Sequence, residues 1–80
     1  MSKYDALREY LERSGRGTVS MSFEAISDLV GGLPPSAFKY REWWANEREG
    51  RHVQARAWIA AGLHVSEVNL SRQTVTFQKA

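Results

Sequence analysis

Trp43 and Trp44 are adjacent, and this pair limits the folds open to the chain more than any other feature. Neighbouring side chains point to opposite faces of a strand and diverge by about 100° on a helix, so one core cannot receive both alike. With Trp58 they are the protein's three tryptophans, and all fall within residues 36–62. The same stretch holds Lys39, Arg41, Arg48, Arg51 and Arg56, five of the 11 lysines and arginines. Large aromatic area and cationic reach share one segment, and a binding surface uses both. Everything rests on one small core. A chain of 80 residues is expected to form a single domain, 1–80. A domain of that size buries only about 60% of the surface its unfolded chain exposes. It has no cysteine, so no disulfide reinforces it and no thiolate serves as ligand or nucleophile.

Taken in order, Tyr4, Leu7 and Leu11 repeat at helical spacing and predict an amphipathic helix over 3–13, with Asp5 in its first turn and Arg13 in its last. Ser14-Gly15-Arg16-Gly17 stops it. Val19, Met21 and Phe23 alternate with Ser20 and Ser22, which predicts a short strand over 18–23. Ser22 suits the N-cap of a second helix, Phe23 to Val30, ended by Gly31-Gly32. Leu33-Pro34-Pro35 is a stiff connector. Ser36 is then expected to cap a third helix reaching about Asn46, although Tyr-Arg-Glu-Trp-Trp is also rich in strand formers. Residues 47–51 read as a charged loop, and His52 to Ala61 as an alanine-rich helix with Trp58 on its apolar face. The tail reads as a hairpin: 63–65 and 68–70, a turn at Ser71-Arg72-Gln73, then 74–77. Leu63 and Val65 are out of parity with Val68 and Leu70, so a bulge is expected near Ser66-Glu67. The predicted class is α+β: a winged-helix-like domain of three to four helices, a short strand and a C-terminal β-hairpin, with an extra element between Ser36 and Gly50.

Charge is distributed unevenly. Residues 1–30 carry a net −1 and residues 31–80 a net +3, within a total of +2. The cationic excess therefore lies where a groove-facing surface is expected. No apolar run is long enough to span a membrane, and the N-terminus lacks an apolar signal core, so a cytoplasmic location is the expectation. No Gly-x-Ser-x-Gly elbow surrounds Ser20, Ser22 or Ser36, and no carboxylate–histidine arrangement accompanies them. His52 and His64 with scattered carboxylates do not make a metal site. No phosphate-cradling glycine loop occurs. A non-enzyme without cofactor, metal or small-molecule substrate is expected.

Leu-Pro-Pro-Ser-Ala (33–37), Trp-Trp-Ala-Asn (43–46), Gln-Ala-Arg-Ala-Trp (54–58) and Ala-Gly (61–62) resemble the elements of a family of small uncharacterised bacterial domains. The resemblance covers nearly the whole chain and implies no firm activity. It marks Ser36, Asn46, His52 and Gln54 as the polar positions to watch.

From the residues, double-stranded DNA is the expected partner, bound by a homodimer in transcriptional control or as a mobile-element accessory. Lys39, Arg41, Arg48, Arg51 and Arg56 are the candidate phosphate contacts. Ser36, Asn46, His52 and Gln54 are the candidates for selectivity, since amides and imidazoles can meet base edges. For Asn46 the cap of a neighbouring element is the preferred role over a base contact, and 52–56 serves equally as an ordinary solvated helix face. Arg72 suits a wing that touches the DNA backbone, or a solvated turn. Trp43 and Trp44 are expected to be mainly structural; in the alternative, one lies in the core and the other over a groove, on a base or against a partner chain. The alternative function is thus a protein-interaction module using Trp43 or Trp44. A third possibility is binding of RNA or single strands through the same aromatics.

Overall fold

The structure, a computed structural model, describes residues 2–47 and 53–80. Its elements are α1 (Asp5–Ser14), β1 (Thr18–Ser22), α2 (Phe23–Val30), α3 (Pro35–Lys39), a 3-10 turn (Arg41–Trp44), α4 (Ala55–Ala60), β2 (Leu63–Asn69) and β3 (Thr74–Lys79). They form an α+β fold of four helices and a three-stranded antiparallel sheet, with strand order β1-β3-β2. The predicted loop at 48–51 and the start of the predicted helix at His52 lie outside the described residues.

α2 begins where its sequence directs. The Ser22 hydroxyl accepts from Ala25 N at 3.0 Å, so β1 stops and the helix starts within one residue. The helix ends at Gly31 and Gly32, whose φ values of 78° and 111° suit glycine and turn the chain back.

The segment after the prolines departs from expectation. Pro34 occupies the cap position and Pro35 the first helical residue, so Ser36 lies inside α3 and caps nothing. The helix ends at Lys39. Tyr40 is extended (φ −125°, ψ 125°), and the chain winds again as the 3-10 turn. Neither one helix to Asn46 nor a strand forms. The cause is Trp44. It is 1% exposed, and its indole Nε1–H donates to Ala37 O at 2.9 Å. In an unbroken helix those residues would stand about 10 Å apart along the axis. Breaking the helix at Tyr40 lets the indole fold back over α3.

That arrangement sets the adjacent tryptophans at different depths, with their rings edge to face at 4.7 Å. Trp44 lies in a column of rings, stacked on Phe23 at 4.9 Å and on Trp58 at 6.0 Å. Trp58 meets Phe77 at 5.5 Å. The column thereby joins α2, the 3-10 turn, α4 and β3, and each ring pair adds about 1 kcal/mol beyond its buried area. Trp43 is half-buried, edge-on to Tyr4 at 6.0 Å.

The sheet buries one face. Val19, Met21, Val68, Val75 and Phe77 point inward, while Thr18, Ser20 and Gln78 face solvent. β2 keeps this alternation through the expected bulge: Val65 pairs with Phe77 and Glu67 with Thr76, leaving Ser66 as the extra residue. Gln73 closes the hairpin with a φ of 56°.

Candidate nucleic-acid interface

The candidate surface is built from the segment after the helix break and the turn of the hairpin. Along an antiparallel pair the hydrogen-bonded residues alternate. Gly17 O accepts from Lys79 N, and Phe23 N donates to Gln73 O. By that parity Phe77 and Val75 bond toward β1, and their partners Val65 and Val68 turn their main chains away from β3. Asn46 meets the first: its Nδ2 donates to Val65 O at 3.0 Å and its Oδ1 accepts from Val65 N at 2.7 Å. The amide takes the place of a neighbouring strand. The same oxygen accepts from Trp58 Nε1 at 2.9 Å. Arg41 meets the second, with Nη1 donating to Val68 O at 2.9 Å. Gln54, 6% exposed, donates from Nε2 to Trp43 O at 2.8 Å.

These bonds place many of the predicted contacts. Asn46 and Gln54 hold residues 43–46 against β2 and α4; both amides are engaged by the fold, Gln54 buried and Asn46 at the exposed edge of β2. Arg41 is exposed at the end of the sheet while anchored to it. Lys39 and Tyr40 precede it, both exposed. Arg72 sits in the β2–β3 turn, where its N–H donates to Asn69 Oδ1 at 2.9 Å. Arg41 at Val68 and Arg72 beside Asn69 therefore bring Lys39, Tyr40, Arg41 and Arg72 to one end of the sheet. None of the three cations has a carboxylate partner among the described residues. Arg56 is not part of this group. It is exposed on α4 and lines a groove against α1 with Asp5 and Arg8. Ser36 is half-buried in α3, and its carbonyl accepts from Tyr40 N at 3.0 Å. Arg48, Arg51 and His52 lie outside the described residues.

Tyr40 is the residue that sequence reasoning missed. It is 58% exposed between two cations. A continuous helix concealed it; the extended backbone at the break is what presents it. Of the two predicted partner contacts, Trp44 is a core residue and Trp43 is half-buried, packed against the core. No group of three His, Cys, Asp or Glu residues suited to a metal occurs among the described residues. No described helix is long and apolar enough to cross a membrane.

Residues 4–80 match a family described as a domain of unknown function (DUF7662). The chain belongs to that family. The match agrees with the resemblance to a small uncharacterised domain and extends from the first residue of the α1 stripe to the end of β3. No curated protein and no solved structure matches the chain.

Proposed function

We propose that this DUF7662 member binds double-stranded DNA as a small winged-helix-like domain, with the β2–β3 hairpin as the wing. The observation that carries the reading is Arg41 anchored on Val68 near the turn that holds Arg72, with Lys39 and the exposed Tyr40 just before it in the chain and no carboxylate partner for the three cations among the described residues. The order helix, strand, helix, helix, hairpin supports it, with α3 and the 3-10 turn as an insertion. Cations contact phosphates, and Tyr40 lies against sugar or base. Asn46 and Gln54 act from beneath, keeping the segment rigid. Binding is then chiefly to the backbone and strongly dependent on salt. A homodimer would present two such ends to one duplex. A small transcriptional regulator or a mobile-element accessory fits this behaviour.

Fluorescence anisotropy with a duplex of about two helical turns, at about 50 mM and about 200 mM salt, tests the reading. Affinity is expected to fall steeply with salt. Lys39→Ala and Arg72→Ala should each lower the slope by about one, whereas Arg56→Ala should change it less. Tighter binding to single strands would move the reading to unpaired nucleic acid. No binding at low salt would end it.

A further inference from the structure

The two edges of the sheet are finished differently. On β2 both outward main-chain groups of Val65 are met by Asn46, and the carbonyl of Val68 by Arg41. On β1 the parity set by Gly17 and Phe23 turns the main chains of Val19 and Met21 toward β3, and those of Thr18 and Ser20 outward. No described residue bonds those outward groups. The Ser20 hydroxyl pairs with that of Thr76 across the ladder at 3.0 Å and leaves its own main chain free.

A groove of about 640 Å³ runs along this open edge. Tyr10, Arg13 and Ser14 of α1 form one wall, β1 forms the other, and Arg16 closes one end. Its lining contains two arginines and no carboxylate. Arg16 has no bonded partner among the described residues, and Arg13 makes one long bond to Glu9 O at 3.4 Å. Tyr10 is 41% exposed and offers an apolar wall.

We propose that this edge is a docking site for an extended acidic segment of a partner protein, which adds to the sheet as a fourth strand beside β1. The edge requires donors and acceptors in alternation at strand spacing. A peptide backbone supplies both, whereas phosphodiesters supply acceptors alone. Arg13 and Arg16 select Asp or Glu beside Thr18, and Glu24, beyond Ser22, disfavours them at the other end. The site is separate from the proposed DNA surface: Thr18 pairs with Gln78, and the hairpin turn lies past Thr74. Either can therefore fail while the other stands.

The experiment is a titration of the 15N-labelled full chain with a capped octapeptide alternating Val or Thr with Glu or Asp. A second peptide, N-methylated at every residue, has the same side chains and lacks the strand's donors on both edges. The first is expected to shift the amides of residues 16–20 and to slow hydrogen exchange at Thr18 and Ser20; the second is not. Ser20→Pro removes an outward N–H while sparing the ladder to β3 and should abolish binding. Arg16→Glu, at an exposed position, should weaken it about tenfold. Binding indifferent to N-methylation, no binding at millimolar peptide, or the same shifts produced by an oligonucleotide and not by the peptide would overturn the proposal.

Discussion

Asn46 makes three hydrogen bonds, two to Val65 and one to the indole of Trp58. Asn46→Ala leaves a nearly buried indole N–H without an acceptor and should cost about 2 kcal/mol in denaturant unfolding. Asn46→Asp keeps both accepted bonds and loses the donor to Val65 O, so it should cost about 1 kcal/mol. If both variants match the wild type, the amide is not the clasp described. Tyr4 gives a pH dependence. Burial raises its phenol above the ordinary 10.0. The folded chain then holds this proton more tightly than the unfolded chain. Its contribution is intact below the unfolded value and is lost as pH rises through the folded one. The Tm of the wild type should therefore fall more steeply between about pH 9 and about pH 11 than that of Tyr4→Phe. Parallel declines would show that Tyr4 carries no such linkage.

Among the elements, β2 depends on its bulge. While the bulge holds a single extra residue, inserting a second one beside Ser66 would put Leu63 and Val65 on the solvent face and His64 in the core. Exposing two apolar side chains costs about 3 kcal/mol, a fall in Tm of roughly 15 °C for a domain of this size. An unchanged Tm would mean that the strand tolerates the slip. That bulge was legible in the sequence because apolar parity breaks between Val65 and Val68. The start of α2 was legible too, because a serine cap acts within three residues. The fate of 36–46 was not. Local propensity there favours a helix or a strand, and the deciding interaction is the return of Trp44 to Ala37, together with its stacking on Phe23 and Trp58. Rings from distant positions set that geometry, and no local window contains them.

At the scale of the molecule, the sequence groups cations by position along the chain, whereas the fold groups them by sheet end. Lys39, Arg41 and Arg72 gather from residues far apart, and Arg56 is directed to the α1 side. The cationic character of the later half was visible in its charge balance. The clustering was not, because it depends on a guanidinium–carbonyl bond spanning 27 residues. The structural use of Asn46 was among the readings of the sequence, as a cap for a neighbouring element; that of Gln54 was hidden, since an amide reads alike as a base contact or a clasp. The central claim is that the hairpin-turn end meets the DNA backbone. It is tested most directly by mapping amide shifts of the 15N-labelled protein on addition of a short duplex at low salt. The predicted result is perturbation concentrated at Lys39–Arg41 and Asn69–Gln73, reversed by added salt. Shifts confined to α4 and α1 around Arg56, or none at all, would contradict it.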